Sequence, residues 1–260
     1  MMVILIQFAI SHLASKSGFT PFSDGTAEGL LEALRKADTD IAVSLPVLTS
    51  PDQFDSVNRF AASINETFNE QKRGILSFAG IHPACTDIKE KMKFLKKSGF
   101  LGVKIHPDYQ DTYINDDGYI EILKCARELD LIVVTHAGID AGFRDRPIRC
   151  APKMVKDVIR SVGHEKFVLA HFGANEMWNE AYEVLGGENV YFDTAFTLKY
   201  INKDLFRKTV AKHGADRILF ATDSPWGDIK EDVELLRAFE LDNSTEEMIL
   251  SGNGRRLLGI

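Results

Sequence analysis

The chain has 260 residues, of which 45% are hydrophobic, 10% aromatic and 27% charged. That composition supports a large buried core and excludes a disordered chain, a collagen-like fibre and a small disulfide scaffold. Its 31 basic and 38 acidic residues leave a net charge of −7; the signs are interspersed and no basic block tracks a phosphate backbone, which argues against nucleic acid as a partner.

Residues 1–10, MMVILIQFAI, lack a basic leader and are too short to span a bilayer, so they read as a buried strand and no membrane association is expected. Three cysteines without CxxC spacing, Cys85, Cys125 and Cys150, form neither a disulfide framework nor a zinc finger and suit a reducing cytoplasm.

Apolar runs recur at about 2–8, 41–47, 75–81, 101–106, 130–136, 166–171, 189–194 and 217–222. They predict eight strands, spaced by roughly the thirty residues that a strand, a loop and a helix require. VILIQF, LIVVTHAG and FVLAHFG are continuous instead of alternating, the mark of parallel strands covered on both faces. Helical spacing of Leu30, Leu31 and Leu34, of Met92, Phe94 and Leu95, and of Ile120, Leu123, Cys125 and Ala126 predicts crossover helices between them. Two further helices are expected near 229–239 and 245–258. No linker or composition shift divides the chain. The expected fold is α/β, a single (β/α)8 TIM-like barrel over residues 1–260 with extra C-terminal helices. An open doubly wound sheet is disfavoured, because no GxGxxG or GxxxxGK follows a strand.

In such a barrel the chemistry sits at the C-terminal strand ends, which here carry His82, Lys104, His106, His136, His171, Asp193 and Asp223. Each histidine alone has an ordinary explanation as a hydrogen-bonded loop residue. Four in one layer with an aspartate suit a divalent ion, zinc before manganese or iron, and three protein ligands with an open position suit catalysis. His136, His171 and Asp223 are therefore the candidate metal ligands. Asp223 and His171 are also candidates for moving protons. Alternation along GVKIHP puts Lys104 and His106 on the interior face. A buried lysine needs an anionic partner: a substrate carboxylate, a carbamate or Asp193.

The long segment GIDAGFRDRPIRCAPK carries Arg144, Arg146 and Arg149. These arginines either capture an acidic substrate or form salt bridges with Asp140 and Asp145. Trp178 and Trp226 either wall a pocket or pack beneath rim helices. The candidate catalytic residues are thus Asp223, His171 and Lys104, and the candidate substrate-binding residues are His106, Arg144, Arg149 and Trp226. The expected partner is a small carboxylated molecule, with assembly into a homo-oligomer left open.

FAGIHP, GFLGVKIHPDYQ, VVTHAG, LAHFG, NVYFDTAFTL, GADRILFATDSPW and ILSGNGRRLLGI together resemble successive strand ends and the last helix of the amidohydrolase-related metal-dependent hydrolases. That family includes aminocarboxymuconate-semialdehyde decarboxylase-like enzymes. The resemblance covers most of the chain and implies a distorted TIM barrel holding one or two divalent ions. It implies His136 and Asp223 as ligands, and His171 as either a ligand or a general base. Lys104 and His106 fall on the family's GxKxHP segment. One departure stands out: Gln7 and Ala9 occupy the places of the family's first-strand His-x-His, and His12 stands alone beyond them.

Three readings follow. The first is a metal-dependent hydrolase of an amide, ester or lactone, or a non-oxidative decarboxylase, acting on a small carboxylated substrate. The second is a catalytically impaired barrel serving as a binding or scaffolding protein. The third is a metal-free lyase using Lys104 as a Schiff-base amine.

Overall fold

Apolar periods of strand and helix type alternate along the chain, and the computed structural model, which describes residues 3–6, 21–22, 24–68 and 74–260, follows them. Gln7, Ala9 and His12 lie outside the described residues. The strands are β1 (Val3–Ile6), β2 (Ile41–Ser44), β3 (Gly74–Ser77), β4 (Ala79–Gly80), β5 (Gly102–Ile105), β6 (Ile132–Thr135), β7 (Phe167–Leu169), β8 (Tyr191–Asp193) and β9 (Ile218–Leu219). All pair in parallel, β1-β2-β3 in one sheet and β4 to β9 in sequence order in the other.

The third expected strand is thus two segments. Phe78 interrupts it, donating its backbone N–H to Ser44 O at 2.9 Å, so that β3 pairs back to β2 and β4 pairs forward to β5. Helices α1 (Ala27–Lys36), α2 (Phe54–Thr67), α3 (Ile88–Lys97), α4 (Asp117–Glu128), α5 (Pro152–Val162), α6 (Trp178–Leu185), α7 (Lys203–His213) and α8 (Ile229–Ala238) supply the crossovers and outer layer of a TIM-like (β/α)8 barrel.

Strand alternation sorts the side chains into two layers. Val43, Leu45, Phe78, Ile132, Val134, Val168 and Leu219 pack together inside. Ala42, Ile75, Val103, Ile105, Val133 and Ile218 face the helices. Helix α5 shows how local sequence fixes an element. Pro152 occupies its first turn, Val155, Val158 and Val162 line its buried stripe, and Gly163 stops it at φ 63°. Phe94 departs from expectation: on α3 Met92 and Leu95 are buried, whereas Phe94 points outward and is 56% exposed.

The two extra helices are α9 (Asn243–Glu247) and α10 (Asn253–Leu258), joined by a π-helical turn at Met248–Gly252. Among the described residues β9 and β1 share no ladder, and the C-terminal segment lies against both. The outward backbone groups of β9 are met there. Phe220 N donates to Ile249 O at 3.1 Å, and Asn253 Nδ2 donates to Ile218 O at 2.7 Å. No helix among the described residues is long and apolar enough to cross a membrane.

Candidate functional site

Because Val103 and Ile105 face the helices, Lys104 faces the interior and His106 follows it one step up the same face. The same alternation lifts His136 above Val134 on β6, Asp193 above Tyr191 on β8, and Asp223 above Leu219 and Ala221 beyond β9. His171 and Asp223 leave their strands at φ 59°, in the left-handed region, which costs a non-glycine residue about 1 kcal/mol.

Imidazoles dominate the gathering. His106 and His136 stack with ring centroids 4.3 Å apart, and His136 Nδ1 lies 3.0 Å from His171 Nε2. The other ring nitrogen of His171, Nδ1, lies 3.0 Å from Ala195 O. A carbonyl only accepts, so His171 carries its proton on Nδ1 and offers a lone pair at Nε2. His136 must then donate from Nδ1, which leaves the lone pair on its Nε2. That atom is buried and has no hydrogen-bond partner among the described residues.

His106 has the opposite tautomer. Its Nδ1 accepts from Tyr109 N at 3.4 Å, placing the proton on Nε2, which faces Asp140 Oδ2 at 3.4 Å. Of the candidate ligands His136, His171 and Asp223, the two histidines lie within hydrogen-bond distance of each other. Among the described residues, the group of three potential metal donors lying within 4.8 Å of one another is His106, His136 and Asp140.

Burial sets the charge states. His106 and His136 are held well below the usual imidazole range by burial and then by the neighbouring imidazoles and Lys104, beside which a further positive charge is disfavoured. Burial lowers His171 to about 4. All three are therefore neutral, as metal ligation requires. Burial also pulls Lys104 down to about 8 against the charges of Asp193 and then Asp223, and pushes Asp223 up to about 7 against the charge of Lys104. Neither Lys104 Nζ nor Asp223 Oδ1 has a hydrogen-bond partner among the described residues.

Lys104 does not form a close ion pair with Asp193. One carboxylate oxygen of Asp193 instead accepts the backbone N–H groups of His171 at 2.9 Å and Ala195 at 3.0 Å. His82 is satisfied locally, its Nδ1 accepting from Ala84 N at 3.1 Å.

The arginines choose partners other than the expected Asp140 and Asp145. Exposed Arg144 pairs with Glu176. Buried Arg149 pairs with Asp111 and lies 3.8 Å from Asp108. Trp226 lines a cavity of about 210 Å³ beside Thr222, whereas Trp178 donates Nε1–H to His171 O at 3.1 Å.

Three residues of this site escaped the sequence reading or were given another role. Asp108 Oδ2 lies 3.6 Å from His136 Nε2, and burial with the nearby Asp140 raises its carboxyl to about 6. Asp140 was weighed only as a salt-bridge partner; it stands four residues beyond His136, and that spacing was its signal. Gln110 closes GVKIHPDYQ: its side chain accepts from His106 N at 2.9 Å and donates to Leu48 O at 2.9 Å and Ile81 O at 2.7 Å. The buried imidazoles, the partnerless Nε2 of His136 and the adjoining carboxylates fit a divalent ion of the kind held by nitrogen and oxygen donors.

A family model described as Amidohydrolase matches residues 23–260. No curated protein sequence matches the chain. Among the solved structures that match over almost their full length are the following three. A 2,6-dihydroxybenzoate decarboxylase complexed with 2,6-dihydroxybenzoate has a TM-score of 0.73 and 17% identity, covering 100% of this chain and 99% of its own. A dihydroxybenzoic acid decarboxylase from Polaromonas sp. JS666, with bound manganese and the inhibitor 2-nitroresorcinol, has a TM-score of 0.73 and 16% identity over 99% and 96%. An uncharacterized TIM-barrel protein from Bordetella bronchiseptica has a TM-score of 0.74 and 16% identity over 99% and 98%. At these identities the likeness is one of fold.

Proposed function

Because the chain belongs to the amidohydrolase family, we propose that it is a metal-dependent hydrolase or non-oxidative decarboxylase of a small carboxylated molecule, with residues 1–260 acting as one barrel domain. The observation that carries this reading is the buried, partnerless Nε2 of His136, whose lone pair is set by the hydrogen bonds running from Ala195 O through His171. His136 would hold the ion with a carboxylate from Asp140 or Asp223, and His171 would position His136 from behind. Zinc and manganese both suit these donors, and the Polaromonas decarboxylase holds manganese. A divalent ion bound there supplies Lewis acidity towards a carboxylate or carbonyl oxygen.

The remaining residues have roles that follow from charge. Lys104, buried and without a hydrogen-bond partner, stays protonated below about pH 8 and would receive the substrate carboxylate. Asp223, raised to about 7 by burial, exchanges a proton near neutrality and would serve as acid or base. His106 directs its Nε2–H at Asp140 Oδ2 and would orient that carboxylate. Arg149 restrains Asp108 from the loop side.

Elemental mass spectrometry on untagged protein, before and after chelation, tests this reading. About one zinc, manganese or iron per chain is expected, with carbon dioxide release from 2,6-dihydroxybenzoate or turnover in an amide, ester and lactone panel. No bound metal after incubation with each ion would overturn it. That outcome would favour the rival reading, a barrel that binds without turning over, which Gln7 and Ala9 motivate.

A further inference from the structure

The cavity beside Trp226 has a chemistry distinct from the histidine cluster. Its walls are aromatic: Trp226, Phe22, Phe196 and Tyr200 line it, and the last two rings tilt against each other with centroids 5.0 Å apart. Its polar face is acidic, formed by Asp232 and Glu231 at the start of α8. Lys199, the basic side chain in the lining, is engaged 3.8 Å from Glu231.

One further observation points to a ligand. Thr222 is fully buried and lines the cavity, and its hydroxyl has no hydrogen-bond partner among the described residues. Gly227 leaves no room for a side chain between Thr222 O and Asp232 Oδ2: an added Cβ would stand 2.0 Å from the first and 2.9 Å from the second. The turn is thereby held close against the carboxylate.

We propose that this cavity is an ammonium subsite: Asp232 and Thr222 accept hydrogen bonds from a primary alkylammonium whose carbon chain lies between Trp226, Tyr200 and Phe22. Aromatic faces attract cations, and the attraction is strongest where the cation is desolvated. Asp232 supports the assignment independently. Burial, then the like charges of Glu231, Asp228 and Asp223, raise its carboxyl to about 8 against the smaller pull of Lys199, so an ammonium bound beside it would favour the carboxylate form. Thr222 adjoins Asp223 in the chain but lies on the opposite face, and none of the candidate-centre residues lines the cavity.

Calorimetric titration with n-butylammonium, n-butanol and butyrate, with and without added manganese, tests the subsite separately from catalysis. Saturable binding of n-butylammonium alone is expected, weakened about tenfold or more by Asp232→Asn and also weakened by Thr222→Val. Equal binding of n-butanol, or unchanged affinity in a folded Asp232→Asn protein, would overturn it; should that variant fail to fold, unchanged affinity in Thr222→Val decides the same way. Absence of turnover with intact ammonium binding would count against the proposed function and leave the subsite standing.

Discussion

His136 Nδ1 and His171 Nε2 lie 3.0 Å apart, and the proton between them belongs to His136, because His171 has already committed its own to Ala195 O. The direction of that single hydrogen bond decides which nitrogen of His136 faces the site as a lone pair.

Removing His171 should therefore loosen the tautomer without removing a ligand. His171→Ala is expected to weaken metal affinity by about 10–100-fold, the usual cost of losing an outer partner of a metal-bound imidazole. Competition against a fluorescent chelator measures it. An unchanged affinity would show that His136 is held in place by other means.

Asp140 and Asp223 offer a separable prediction. Asp223→Asn should lower turnover by about a hundredfold or more while leaving thermal unfolding intact, since a positioned proton carrier contributes about 10²–10⁴ in rate. Metal content then divides the roles. Loss of the ion in Asp140→Asn with retention in Asp223→Asn would assign the ligand to Asp140, and the reverse would assign it to Asp223.

Gln110 predicts a stability effect at a distance from the chemistry. Its amide meets His106 N, Leu48 O, Ile81 O and the hydroxyl of Tyr119, the last at 2.7 Å. Gln110→Ala leaves these groups buried and unpaired and should cost about 2–4 kcal/mol, measured by urea denaturation. Gln110→Glu, which points carboxylate oxygen at two carbonyls, should be worse.

His213 supplies the pH dependence. Its Nε2 lies 2.9 Å from Val190 O, its Nδ1 accepts from Gly187 N at 3.3 Å, and its ring stacks on Phe192 at 3.8 Å. Burial lowers its pKa from 6.5 to about 4. A base depressed in the folded state stabilises above its unfolded pKa and loses that contribution as pH falls through the folded one. His213→Gln should therefore be less stable than the parent at pH 7 by about 1–3 kcal/mol, with the gap narrowing towards pH 4. A gap that stays constant would contradict the assignment.

The strand positions were legible in the sequence because both faces of each strand are covered, so buried runs such as IVVT and FVL read as unbroken apolar stretches. The break at Phe78 was not, since apolar residues continue across it and only pairing direction changes. Lys104, His106, His136 and His171 could be found because they end such runs. Asp108 and Asp140 could not be assigned their places by that rule: they lie in loops whose path depends on tertiary hydrogen bonds, among them those from Gln110. Phe94 was misplaced because a helical stripe two residues wide resembles one three wide until the neighbouring elements are known.

The C-terminal segment has a consequence for solubility. A parallel strand at the margin of a sheet offers a row of vacant donors and acceptors on which another molecule's strand can grow. On β9 that row is already taken, by the Ile249 carbonyl and the Asn253 amide. Truncation before Asn243 would uncover it, and the shortened chain should associate strand to strand.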